Sequence, residues 1–155
     1  VKPRVARASF EALMRRVDKG LPRIDLLTDI YNAISIFHRV PIGGENLDNY
    51  VGAPRLVIAN GDEEFETREN GADVTQNPEP GEVIWRDDEG VTCRRWNWRQ
   101  CTRTRLGEDT KTILFIIDSL GENSEAKAKA ASERLLQELQ NIWPNLDTEL
   151  EIIHK

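Results

Sequence analysis

The segment Cys93-Arg94-Arg95-Trp96-Asn97-Trp98-Arg99-Gln100 gathers the side chains best suited to chemistry in this sequence. Arginine suits a phosphate or carboxylate because its planar fork makes two parallel charge-assisted hydrogen bonds. Asn97 and Gln100 each donate and accept, so either can hold an ammonium group, a carbonyl oxygen or a base edge. Read as a β-strand, the segment puts Arg95, Asn97 and Arg99 on one face and Arg94, Trp96, Trp98 and Gln100 on the other. Trp96 and Trp98 would then build an apolar wall, and the opposite face would carry a cationic, hydrogen-bonding set. In the plainer reading the tryptophans fill the core and the arginines are solvated or paired with nearby acids. Against it stands the density of Trp85, Trp96 and Trp98 beside five arginines between Arg94 and Arg105.

Other groups are candidates one at a time. His38, with an unperturbed pKa of about 6.5, could position a water or act as a base. A histidine in the last turn of a helix also simply favours the helix dipole. Asn32, like Asn97 and Gln100, stays neutral and can donate to a developing oxyanion. Gly43 and Gly44 would let backbone amides approach a ligand, since glycine has no Cβ and tolerates positive φ. They lack the lysine and the longer glycine spacing of a phosphate-binding loop. Glu108 and Asp109 could orient a water or bind an ammonium, or merely begin a strand in solvent. No Ser-His-Asp or Cys-His arrangement is evident. His38 and His154 are the only histidines and Cys93 and Cys101 the only cysteines, so no zinc signature can be assembled and no metal or cofactor is expected. The two thiols read as ordinary ones, a disulfide being disfavoured in a reducing cytosol.

These residues need elements to hold them. Ser9 is a plausible N-cap for a short amphipathic helix running to about Asp18, ended by Gly20, Leu21 and Pro22. Asp25 can cap the next helix, in which Leu26, Leu27, Ile30, Ala33, Ile34 and Phe37 recur at helical spacing. It should stop before Pro41, and PIGGENLDNYVG reads as a structured loop with one helical turn. RLVIAN begins a strand-rich stretch, with turns at Asn70-Gly71 and from Pro78 to Gly81. EVIWRD and VTCRRWNWR, separated by Asp88-Glu89-Gly90, read as a hairpin. TILFIID is a continuous apolar run, as a fully buried strand would be. Ser124 to Ile142 is the clearest helix, closed by Trp143-Pro144, with Leu135, Leu136 and Leu139 packing on the sheet. Lys127, Lys129 and Arg134 read as a solvated face. LEIIHK reads as a last strand. The fold class is α+β, a single compact domain over residues 1–155 with a mixed or antiparallel sheet flanked by helices.

At 155 residues, 39% hydrophobic and 31% charged, the chain suits one globular domain. No apolar stretch approaches the roughly 20 residues of a membrane span and no signal peptide opens the chain, so a soluble, cytoplasmic protein is expected. The net charge of −6 argues against nucleic acid binding over the whole surface. Charge is uneven, however. From Asp62 to Glu89 acids dominate, with Arg68 and Arg86 the only basic residues, whereas from Arg94 to Arg105 there is no acid. Any nucleic-acid contact must be local.

WRDDEGVTCRRWNWRQ, from Trp85 to Gln100, resembles the central signature of stand-alone proteins related to the B3/B4 domain of the phenylalanyl-tRNA synthetase beta chain. The resemblance extends through LTDIYNAISIFHRVPIGGENLD, at Tyr31, Asn32, Ser35, Pro41, Gly43, Gly44 and Leu47. It also takes in Gly61-Asp62-Glu63 with Phe65, Thr104-Arg105-Leu106, and the strand ending at Asp118. It implies a B3/B4-like fold and a pocket for the aminoacyl end of tRNA. Two departures stand out. Family members carry a further segment before the basic helix, so the chain is expected to be a truncated form. Gly107 also sits where a small hydroxyl residue belongs, leaving Thr102, Thr104 and Thr110 as the nearby hydroxyls.

Within the synthetase the related domain hydrolyses the ester of a wrongly attached amino acid. An aminoacyl ester is already activated, so a positioned water and one donor to the oxyanion, worth about 3 kcal/mol, could suffice. The expectation is therefore an aminoacyl-tRNA deacylase acting in trans. Asn97, Gln100 and His38 are its catalytic candidates, and Asn32, Gly43, Gly44, Arg94, Trp96, Trp98, Arg99 and Thr102 its binding ones. The alternatives are a non-catalytic RNA-binding module, with arginines on phosphates and tryptophans stacking bases, and a binder of a free amino acid.

Overall fold

The computed structural model describes residues 7–21 and 23–153. Three helices and eight strands follow in the order α1 (Ser9–Met14), α2 (Leu26–His38), β1 (Ile42–Asn46), β2 (Arg55–Ile58), β3 (Phe65–Glu69), β4 (Ala72–Gln76), β5 (Val83–Arg86), β6 (Val91–Arg94), β7 (Arg99–Gln100), β8 (Ile113–Ile117) and α3 (Ser124–Ile142). Single 3-10 turns occupy Val17–Lys19 and Leu47–Asn49. The class is α+β. Instead of one sheet there are three small ones: β1 with β8, β3 with β4, and an antiparallel four-stranded sheet ordered β2-β5-β6-β7.

Two compact units share these elements. One comprises Gly44–Phe115 with the residues preceding Phe10, the other Phe10–Gly43 with Ile116 onward. The boundary falls inside both β1 and β8.

The strand unit is built from short hairpins whose turns are local. Asn70 at φ 50 and Gly71 at φ 84 join β3 to β4, the paired left-handed conformation that an Asn-Gly turn adopts. Between β5 and β6, Asp87 accepts the Glu89 and Gly90 amides at 3.0 Å each. Gly90 admits no side chain, because a Cβ there would lie 2.7 Å from the Glu64 carbonyl oxygen. Backbone bonds from Val91 to Glu64 and from Thr102 to Glu66 tie the β3 region to the four-stranded sheet. The core of the unit is Ala59, Phe65, Ile84, Val91 and Cys101, with Phe65 and Ile84 wholly buried.

In the helical unit, Asp25 caps α2 as its position suggests, accepting the Thr28 amide and hydroxyl at 2.7 Å each. Arg39, in the left-handed region at φ 58, ends the helix. α3 packs against α2 and buries Ala131, Leu135 and Leu139, a seam at i, i+4 and i+8, with Leu136 half-buried. Lys129 and Arg134 pair with Glu133 and Glu138 on its exposed side.

Several expectations are corrected. α1 stops at Met14, and Ser9 is its first residue rather than a side-chain cap. α2 is rotated from its expected face: it buries Thr28, Ile34 and Ser35 and leaves Leu26 and Phe37 bare. The reason is polar, since the Ser35 hydroxyl turns inward to the Val40 carbonyl at 2.5 Å. PIGGEN contributes β1, a strand whose partner lies about seventy residues on, so its glycines did not read as a strand. β8 is half-buried along its length, having one neighbour instead of two. Leu150 to Ile153 form no strand and three of the four are exposed; His154 and Lys155 lie outside the described residues, as do Pro22 and the basic residues before Ala6.

Candidate functional site

The segment richest in candidate chemistry does not run straight. β6 ends at Arg94, the chain reverses through Arg95 at φ 47 and Trp96 at φ 68, and β7 returns alongside, Arg94 facing Arg99 and Cys93 facing Gln100. The Trp98 amide closes the loop on the Arg94 carbonyl at 3.1 Å. The alternation expected of a single strand is therefore overturned. Its cause lies a dozen residues back. Glu82 takes Arg94 in a two-point pair, Nε at 2.9 Å and Nη2 at 2.8 Å, and Arg95 Nε at 3.3 Å. The Trp96 amide meanwhile donates to Val83 O at 2.8 Å. Adjacent strand residues point to opposite faces, so Arg94 and Arg95 could not both reach one carboxylate without the turn.

Trp98 sits among three guanidinium groups: Arg95 lies 4.7 Å, Arg99 4.8 Å and Arg94 5.7 Å from a ring centre. Each distance is within reach of a cation–π attraction. Arg94, Arg95 and Glu82 are largely buried, whereas Arg99 is 40% exposed and, among the described residues, pairs loosely with Glu69 at 3.9 Å. Burial would raise the Glu82 carboxyl, but the Arg94 and Arg95 partners overcome it and hold it below its usual range.

The remaining candidates are already engaged in places. Asn97 receives the Ser9 amide on both its backbone oxygen, at 3.1 Å, and its side-chain oxygen, at 3.2 Å, and so anchors the start of α1. Gln100 Nε2 donates to the Gly44 carbonyl at 3.1 Å, joining β7 to β1. Thr102 is half-buried and its amide donates to Glu66 O. With Thr67, Glu66, Asp73, Val74 and Thr75 it lines an open depression of about 240 Å³. Gly43 and Gly44 are not among the glycines with positive φ; both lie in β1. Glu108 and Asp109 occupy an exposed turn. Asn32, His38 and Gly43 belong to the helical unit, the other candidates to the strand unit. The His38 Nε2 is buried with no hydrogen-bond partner among the described residues, and its ring meets Phe37 edge-on at 5.0 Å.

Sequence reasoning missed the polar groups buried deepest. Glu45, in β1, is 2% exposed and accepts hydroxyl hydrogens from Thr104 and Tyr50 at 2.7 Å each. Tyr50 also touches Thr92 Oγ1 at 3.3 Å, and Thr104 touches Cys101 Sγ at 3.2 Å. Burial raises the Glu45 carboxyl above its ordinary value, only partly countered by those hydroxyls and Arg103. Burial, and then the neighbouring Glu45 carboxylate, also push the Tyr50 phenol up.

Asp87 is wholly buried and binds Arg103 through two 2.8 Å bonds, besides the amides of Val51, Glu89 and Gly90. Burial works against its charge, but Arg103 and those amides prevail and hold the carboxyl down to about 2. The usable signal was the facing of an acid-rich block and an arginine block in sequence. Glu82, Glu69 and Asp87 from the first take Arg94, Arg95, Arg99 and Arg103 from the second. Cys93 and Cys101 are not joined in a disulfide, and both are buried.

The family model described as the B3/4 domain matches residues 1–140 of the chain. No curated protein matches it. No helix among the described residues is long and apolar enough to cross a membrane.

Proposed function

The chain belongs to the B3/4 domain family, related to the editing domain of the phenylalanyl-tRNA synthetase beta chain, and on that premise we propose that it binds aminoacyl-tRNA and hydrolyses a misplaced aminoacyl ester in trans. In that reaction water attacks the ester carbonyl, the bond to the ribose oxygen breaks, and the proton passes to that oxygen as the amino acid leaves. No covalent enzyme intermediate is required, because the ester is already activated. The protein's task is to place the water and to offer a neutral donor to the oxyanion.

The observation that carries the binding half is the Arg99–Trp98 pair. Arg99 lies over the indole at 4.8 Å, is 40% exposed, and its ion pair among the described residues is a loose one with Glu69. A guanidinium so placed can exchange that contact for a phosphate while the indole supports it. Arg105, exposed and without an ion pair among the described residues, is the second available cation of the stretch. Arg94, Arg95 and Arg103 are committed to buried carboxylates.

One observation favours a second reading, an RNA-binding module without turnover. The side chains nominated for the oxyanion, Asn97 and Gln100, each already hold a backbone group. Binding of intact tRNA across a series of salt concentrations tests the part common to both. With two arginines available to phosphate, log Kobs should fall with log salt at a slope of about −2. Arg99→Ala should reduce that slope by about one and weaken binding to all sequences alike. Absence of tRNA binding at low salt would overturn both readings.

A further inference from the structure

Of the fifteen large hydrophobic side chains exposed among the described residues, all but Val51, Leu56 and Ile58 belong to the helical unit. On α2 they are ordered. Leu26, Ile30, Ala33 and Phe37 follow one another at steps of four, three and four, the spacing of a seam between two packed helices. Leu26 is 57% and Phe37 81% exposed, Ala33 is exposed and Ile30 half-buried. The helix turns Thr28 and Ser35 inward instead. A contiguous apolar stripe of this kind marks an interaction surface, where scattered single residues would not.

We propose that this stripe pairs with the same stripe of a second copy of the chain, the two α2 helices lying antiparallel across a two-fold axis. The order of side chains fits that symmetry. An axis midway between Ile30 and Ala33 sets Phe37 against Leu26 of the second copy, and Ile30 against its Ala33, a large residue opposite a small one.

The charges fit as well. The start of α2 carries Asp25 and Asp29, of which Asp29 alone has a cation among the described residues, Arg23 at 2.6 Å. The end carries the exposed Arg39, which has no ion pair among them. Antiparallel pairing brings each acidic end to the other copy's basic end and opposes the two helix dipoles. A parallel pair would stack like charges. The contact uses one patch on both copies, so it closes at two.

One helix pair buries less than the roughly 1,200 Å² of a stable interface, so the dimer is weak and concentration dependent. The inference does not depend on the tRNA reading. Sedimentation velocity of the intact protein, from micromolar to sub-millimolar concentration, tests it. A monomer–dimer equilibrium is expected. Phe37→Gln and Leu26→Gln should each weaken it about 10–100-fold by removing a buried apolar side chain. Arg39→Asp, which tolerates the left-handed backbone there, should weaken it by a smaller factor that vanishes at high salt. All three positions are exposed, so melting temperature and helical circular dichroism of the monomer should not change. A monomer at every concentration overturns the proposal, and so does a dimer that Phe37→Gln leaves intact.

Discussion

Asp87 and Glu45 are buried carboxyls in the same unit with opposite electrostatic settings. Asp87 is surrounded by donors and a two-point guanidinium partner, and its pKa is held down to about 2. A carboxyl lowered on folding stabilises the native state above its unfolded pKa, and that contribution is lost as pH falls from about 4 through about 2. Asp87→Asn leaves the Arg103 charge buried without its partner and should cost about 3–5 kcal/mol at neutral pH, read from urea unfolding. The difference from wild type should shrink in acid. Glu45 has the reverse sign. Its carboxyl is raised on folding, so the advantage of its protonated form is complete below the unfolded value and fades as pH rises through the folded one. Glu45→Gln keeps the shape and a hydroxyl acceptor without the charge. It should match or exceed wild-type stability near pH 7.5 and converge with it below about pH 4.5. A variant clearly weaker at pH 7.5 would show that the charge itself is needed.

Among the elements, those fixed by neighbours in sequence were legible and those fixed at a distance were not. Asp25 and the run after it specify the start of α2, and Ser124 to Ile142 specify α3, because capping and helical spacing act within a few residues. Asn70-Gly71 and the Asp88-Glu89-Gly90 turn are likewise local. In the reversal after Arg94 the positive φ falls on Arg95 and Trp96, neither a residue type that favours it, because Glu82 and Val83 hold them there. β1 owes its strand character to β8, and the inward face of α2 to a serine whose partner is the Val40 carbonyl. The β3–β4 turn offers a clean test of local cost. A Cβ at Gly71 would meet no atom within 4 Å, yet its φ is 84. Gly71→Ala should therefore destabilise the protein by about 1 kcal/mol through backbone strain alone. A smaller loss in thermal or urea unfolding would mean the turn relaxes to another form.

For the whole molecule, the net charge of −6 and the separation of acids from arginines were visible in composition, but their meaning was not. The arginine block reads as a cradle for phosphate until the acid block is folded against it. Three of its five members are then spent on Glu82 and Asp87, and Arg99 touches Glu69. What reaches solvent is narrower: the Trp98–Arg99 edge and Arg105. The family was legible in WRDDEGVTCRRWNWRQ because such a string is specific even when its conformation is misread. Catalytic roles were not, since Asn97 and Gln100 acquire their partners, Ser9 and Gly44, only in the fold. The deacylase reading stands or falls on release of amino acid from a panel of correctly and wrongly charged aminoacyl-tRNAs, with wild type beside Arg99→Ala. Rapid release of one wrongly attached amino acid, cut about tenfold by a change costing near 1.4 kcal/mol of transition-state binding, is the predicted result. Release of none of them, by protein that still binds tRNA, would contradict hydrolysis and leave the binding module.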